Sequence, residues 1–224
     1  VSARPSAIPI AVLASGRGSN FDAIHDAISR GELDARIVAL VSDQPGAPAL
    51  AKAEAAGIRP LLVPLPDKSE AASVEARRAL HDGRVLEALA TLPEKPRFLV
   101  MAGYMRVITA RLLEAFRSER GYARIVNVHP SLLPAFPGAG SYARAFDHGA
   151  KLSGVSVHLV ELDVDAGPIC AQEAFAIDDC ASAEEVERRG IAVEHRLYPR
   201  TLSWVLPENF AINPVKGRFC VRPN

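Results

Sequence analysis

Asn127 and His129 stand two residues apart at the end of an apolar run, directly before Pro130-Ser131-Leu132-Leu133-Pro134, and Asp165 follows later in Asp165-Ala166-Gly167-Pro168. An amide, an imidazole and a carboxylate are the polar groups that transfer of an acyl group to an amine would use. Amine attack on a carbonyl builds a tetrahedral oxyanion, and catalysis requires donors aimed at that oxygen. Asn127 offers its side-chain NH₂, and His129, if protonated, a charge-assisted donor. A nearby carboxylate such as Asp165 favours the imidazolium and can accept, directly or through water, the proton that the amine sheds. No Gly-x-Ser-x-Gly elbow is present, so Ser131 is expected to hydrogen-bond within its loop and not to act as nucleophile. Direct transfer without a covalent enzyme intermediate follows. The plainer reading of each residue alone is structural: His129 satisfying a buried loop, Asp165 opening a turn. Their combination points to chemistry.

Such groups need a rigid frame. Residues two apart on an extended strand project to the same side, and the prolines after His129 cannot continue a ladder, so a strand must end there and a stiff loop begin. Continuous apolar runs at 8–14, 35–41, 60–63, 98–102 and 123–128 suit strands buried on both faces. Helices are expected at 20–29, 47–56, 70–92 and 109–116, the first two ending before Gly31 and Gly57. This alternation implies an α/β, Rossmann-like, mostly parallel doubly wound sheet. Its ligands would sit beyond the carboxyl ends of the strands, where 15–20, 102–107 and 127–134 all fall. In the second half, 155–160 alternates like a half-exposed strand and 169–177 can return beside it after Gly167-Pro168, giving antiparallel additions. A helix at 183–197 and a polar, proline-bearing tail at 207–224 complete the expectation. One domain is implied, with a nucleotide-phosphate-binding half (about 8–110) and a catalytic half (about 111–206).

Ser15-Gly16-Arg17-Gly18-Ser19-Asn20 lies between the first strand and the first helix. Its glycines permit close backbone approach, and Ser19 or Asn20 can cap the helix while free amides face a phosphate. Phe21 stands where the third glycine of a dinucleotide fingerprint would be, so a mononucleotide phosphate fits better than a pyrophosphate. Asp43, just past the second strand, keeps a nicotinamide-cofactor reading as an alternative.

The 224 residues carry 26 basic and 26 acidic side chains, a balance that suggests neither a nucleic-acid nor a membrane partner. Cys170, Cys180 and Cys220 lack CxxC spacing, which argues against a disulfide framework or a structural zinc site and for reduced thiols in a cytoplasmic protein. No apolar run approaches the ~20 residues of a membrane span. Val1-Ser2-Ala3-Arg4-Pro5 has neither a methionine nor a signal-peptide core and reads as a frayed or trimmed end.

Asn127-x-His129-Pro130-Ser131-Leu132-Leu133-Pro134 with Asp165-x-Gly167-Pro168 resembles the formyltransferases that use 10-formyltetrahydrofolate. Ser15-Gly16-x-Gly18-Ser19-Asn20, Ala102-Gly103-Tyr104-Met105-Arg106 and Glu194-His195-x-x-Tyr198-Pro199 narrow the resemblance to the phosphoribosylglycinamide formyltransferases of purine synthesis, over about 10–204. The resemblance implies that Asn127, His129 and Asp165 are catalytic. It implies that Gly18, Ser19 and Asn20 hold the phosphate of glycinamide ribonucleotide and that Glu194 binds the ribose hydroxyls. It implies that backbone at Met105, Arg106, Val107 and Ile108, with the 160–165 loop including Val160 and Asp163, clasps the pterin of 10-formyltetrahydrofolate as cosubstrate. Arg77, or in second place Arg78, would help bind substrate or folate. No metal is implied, and the enzyme would be a monomer or homodimer. Gly140 and Tyr142 depart from the histidines of many relatives. Residues 145–154 also resemble formyltetrahydrofolate deformylase, so a hydrolase releasing formate is the alternative enzyme, and a binding module without chemistry the alternative of another class. Methionyl-tRNA formyltransferase shares the Ser-Leu-Leu-Pro run but is longer, and the neutral charge and short tail here argue against it.

Overall fold

A computed structural model describes residues 7–215 and 218–224. Chain order is β1 (Ile8–Leu13), α1 (Ser19–Ser29), β2 (Ala35–Ser42), α2 (Pro48–Ala55), β3 (Arg59–Leu62), α3 (Val74–Ala90), β4 (Phe98–Met101), α4 (Ala110–Ala115) and β5 (Ile125–His129). It continues with α5 (Ser141–Asp147), β6 (Leu152–Leu159), β7 (Ile169–Ala176), α6 (Ala183–Val205) and a hairpin of β8 (Phe210–Val215) and β9 (Arg218–Pro223). One sheet of seven strands runs β3-β2-β1-β4-β5-β6-β7, parallel through β5 and antiparallel for β6 and β7. Strand order reverses between β1 and β4, which opens a crevice at their carboxyl ends.

Burial explains the unbroken apolar runs. Along β1, Ile10 and Val12 face one core with α1 and α6, while Ala11 and Leu13 face a second core with α3 and α4. Period two on a sheet covered on both sides leaves no polar face. Tyr198, fully buried, directs its hydroxyl at the carbonyls of Met101 (3.0 Å) and Val126 (2.9 Å), pinning α6 against β4 and β5.

Several sequence expectations need correction. The 70–92 helix is two pieces: a 3₁₀ turn at Lys68–Glu70, then α3, whose Ser73 cap accepts from the Ala76 amide at 3.1 Å. The 183–197 helix runs on through Pro199 to Val205, because Leu202 and Val205 extend its apolar stripe into the core. β6 is buried from Ser153 to Leu159 and not half-exposed: Val155, Val157 and Leu159 join the α6 core, and the alternate Ser156 and His158 are buried with polar partners. Helix α5 was not foreseen; it is only seven residues long and starts from a left-handed Gly140 (φ 73°). The expected tail is the β8–β9 hairpin, anchored by Phe210 against the rings of Tyr122 and Trp204. The first five residues and the side chain of Cys220 lie outside the described residues.

Glu208, just before that hairpin, gathers a network. Its carboxylate accepts from Tyr122, Arg97 and Arg124 (Nε at 3.0 Å), and Arg120 reaches its carbonyl at 3.2 Å. Burial pushes the carboxyl up, but Arg124, Tyr122 and Arg97 together hold it below the ordinary glutamate value. Glu208→Ala is expected to cost roughly 1.5–3 kcal/mol in urea unfolding at pH 7, the range for hydrogen bonds to charged groups. Because the folded value is depressed, the wild-type advantage is complete above the unfolded value and lost as pH falls through the folded one. Identical urea midpoints at pH 7 would show that the network contributes nothing.

Candidate active site

A cleft of about 400 Å³ opens at the strand-order reversal, and its wall carries Asn127, His129 and Asp165 together. The first two come from the carboxyl end of β5, on one side of the strand as their spacing requires. Asp165 arrives on the connection between β6 and β7, in a left-handed conformation (φ 54°). Asparagine and aspartate tolerate that region better than bulkier residues. Gly167 makes the turn possible: a Cβ there would lie 1.9 Å from the Leu159 carbonyl oxygen.

Asp165 Oδ2 stands 3.2 Å from His129 Nδ1 and accepts from the Gly138 amide at 2.7 Å, while Oδ1 lies 3.6 Å from His158 Nε2. Burial pushes the Asp165 carboxyl up, but His158, the Gly138 N–H and the charge of His129 bring it below the ordinary aspartate value. Burial pushes His129 down and outweighs the Phe136 carbonyl and Asp165. Asp165 therefore does not lift the ring above the ordinary histidine value; desolvation wins. Both ring nitrogens face acceptors: Nδ1 faces Asp165 at 3.2 Å and Nε2 the Phe136 carbonyl at 3.0 Å, and the Ser141 hydroxyl beside Nε2 donates to the Phe136 and Gly138 carbonyls. A neutral ring donates to one of the two, and only the charged ring to both.

His158 was missing from the sequence reading. It is 2 % exposed, faces Asn127 across the antiparallel β5–β6 pair, and its Nε2 lies 3.2 Å from Asn127 Nδ2. The available hint was a histidine in an apolar alternating stretch; only strand pairing says which residue it meets. Ser131 is a loop hydrogen-bonder as expected, its hydroxyl on the Ala135 carbonyl at 2.5 Å. Cys170 is buried, its thiol pushed up to about 12 by burial, and it does not line the cleft.

Asn20 and Glu194 also line the cleft; Asn20 Nδ2 donates to Glu194 Oε2 at 2.6 Å and the Tyr142 hydroxyl to Oε1 at 2.8 Å. Asn20 Oδ1 is buried without a partner. The helix cap is Gly18 itself (φ 74°), not Ser19 or Asn20: the left-handed turn places Ser19 in the first helical position and sends Asn20 to Glu194. Arg17 is exposed and pairs with Glu187 at 2.9 Å. Met105, Arg106, Val107, Ile108 and Val160 line the cleft, and exposed Met105, Leu162 and Val164 give it an apolar rim. Gly18, Ser19 and Asp163 are not among the lining residues. Arg77 is also outside it; its Nε donates to the Pro66 carbonyl at 2.5 Å because α3 starts beyond a break that the sequence did not reveal.

Among the described residues no group of three or more His, Cys, Asp or Glu side chains is placed to hold a metal ion, and no helix is long and apolar enough to cross a membrane.

Residues 8–202 match the family described as formyl transferase. A phosphoribosylglycinamide formyltransferase of Bacillus subtilis is 38% identical over 199 residues, covering 89% of this chain and 95% of that protein. The crystal structure of glycinamide ribonucleotide transformylase 1 from Symbiobacterium toebii superposes with a TM-score of 0.82 at 34% identity, covering 100% of this chain and 97% of that one. A formyltetrahydrofolate deformylase structure from Pseudomonas syringae has a TM-score of 0.80 but 23% identity, covering 96% of this chain and 65% of that one, a likeness of fold alone.

Proposed function

The chain belongs to the formyl transferase family, and we propose that it moves the formyl group of 10-formyltetrahydrofolate to the amino group of glycinamide ribonucleotide. The observation that carries this reading is the convergence of Asn127, His129 and Asp165 on one cleft that Asn20 and Glu194 also line. One group suits chemistry; the other suits a hydroxylated substrate. Glu194 and the unpartnered Asn20 Oδ1 are adjacent acceptors for a ribose diol, and the amides of the turn at 18–20 suit the phosphate. The apolar rim at Met105, Leu162 and Val164, with backbone of 105–108 and Val160, suits a pterin. Arg77 and Asp163 are left without a contact in this reading.

The amine attacks the formyl carbon, and the oxyanion takes an N–H of Asn127. The C–N bond to the folate nitrogen then breaks, and one proton must pass from the amine to that nitrogen. Ionised Asp165 and neutral His129 form a pair that takes up this proton and returns it to the leaving nitrogen; while charged, the ring donates to both Asp165 and the Phe136 carbonyl. Both halves of the chain contribute: Asn20, Met101 and 103–108 from the first, the remaining lining residues from the second. We place the enzyme in the cytoplasm as a monomer or homodimer acting on small molecules, without metal, nucleic acid or membrane.

Absorbance of the folate product, followed with and without the ribonucleotide, tests this. Product formation is expected only with ribonucleotide present. Turnover that ignores it would favour hydrolysis to formate, and tight ligand binding without formyl product would favour a binding module.

A further inference from the structure

Asp43 follows directly on β2, and its side chain is fully buried yet does not line the cleft. No ribose can reach it, so the acceptor role that its place after β2 suggested is not open to it. All of its bonding is internal. Oδ1 accepts from Ser15 Oγ at 2.5 Å, and Oδ2 from Arg106 Nε and Gln44 Nε2, each at 2.6 Å. Ser15 Oγ in turn accepts from the Met105 amide at 2.9 Å, and the Ser15 amide donates to Gly103 at 3.0 Å. One buried carboxylate thus ties the start of the glycine-rich turn to the 103–108 loop.

We propose that Asp43 is a positioning residue of the formyl-folate subsite, holding the 103–108 loop in its binding shape through Ser15 and Arg106. This rests on the reading of that loop as the pterin clasp. The loop has buried anchors at Tyr104 and Ile108, but Met105 between them is 62 % exposed and gives the tip no packing. Its shape there depends on polar tethers. A carboxylate removed from water is tolerated only when paired and hydrogen-bonded, and three donors meet that condition. Burial pushes this carboxyl up, but Ser15, Arg106 and Gln44 bring it below the ordinary aspartate value, so the tether is intact across the neutral range. A preformed loop saves the ordering cost on binding, so the effect belongs in folate affinity and not in the chemical step.

Asp43→Asn is the isosteric test, since an amide turns an N–H toward at least one of the three donors. Binding of tetrahydrofolate by calorimetry, and kcat with both KM values, are measured for this variant and for Ser15→Ala. In Asp43→Asn, tetrahydrofolate affinity and the KM for the formyl donor should worsen roughly tenfold, with kcat and ribonucleotide KM within about twofold. Ser15→Ala should show a smaller loss in the same two quantities. Unchanged tetrahydrofolate affinity in both variants overturns the proposal, as does a parallel loss in both KM values and kcat. If Asp43→Asn does not fold, unchanged affinity in Ser15→Ala overturns it alone. Wild-type protein that binds no tetrahydrofolate defeats the functional reading and this proposal together; normal wild-type binding with unaltered variants defeats only the proposal.

Discussion

Asp165→Asn is expected to lower kcat by about 10²–10⁴, the range for a positioned acid–base group, with tetrahydrofolate and ribonucleotide binding changed only a few-fold. The amide keeps the size of the carboxylate and can still accept from Gly138 N–H. It cannot take a proton, and it removes the charge that would stabilise a His129 imidazolium 3.2 Å away. The lost interaction is made mainly in the transition state, so the loss falls on kcat. Single-turnover formyl transfer measures it, and a kcat within tenfold of wild type would remove Asp165 from the mechanism. A pH profile belongs to the same argument. In the proposed mechanism the active pair is ionised Asp165 with neutral His129, so kcat should fall when a proton is already bound. Burial pushes His129 below the ordinary histidine value of ~6.5, and bound substrates add burial in the same direction. Wild-type kcat should therefore stay level through neutral pH and decline only in the acid range below that ordinary value. A decline centred above pH ~7 would contradict a resting neutral ring.

Asn127→Ala is expected to cost on the order of 10²–10³ in kcat, as removal of one oxyanion donor typically does. The structure gives the donor a definite orientation. His158 Nδ1 lies 2.9 Å from the Leu159 carbonyl, and its Nε2 lies 3.6 Å from Asp165 Oδ1 and 3.2 Å from Asn127 Nδ2. That contact orients the amide of Asn127, which lines the cleft where the oxyanion would form. A loss under tenfold in the alanine variant, with normal KM values, would mean that the oxyanion is held elsewhere.

Much of the frame was legible in the residues. Continuous apolar runs marked β1, β2, β4 and β5, because strands buried on both faces have no polar side to show. The Asn127–His129 spacing, read with strand periodicity, put both side chains on one face, and the prolines marked where the strand stops. Resemblance of several ordered motifs pointed to formyl transfer. Less legible were features decided by what a segment packs against. Pro199 reads as a stop, yet α6 continues because Leu202 and Val205 have a core to enter. A polar tail became a hairpin because Glu208 found three arginines and a tyrosine brought together from distant parts of the chain. Arg77 looked available for a ligand, but the break before α3 turned it to a carbonyl.

The division has a physical origin. Strand and helix periods, breakers and glycine turns are local properties, so the sequence alone determined the α/β alternation and the crevice end of the sheet, and it singled out Asn127, His129 and Asp165 as the candidate set. Strand pairing and desolvation are properties of the packed molecule. Only the tertiary structure set His158 against Asn127, buried His129 enough to push it below the ordinary histidine value, and tied the buried Asp43 to Ser15, Gln44 and Arg106.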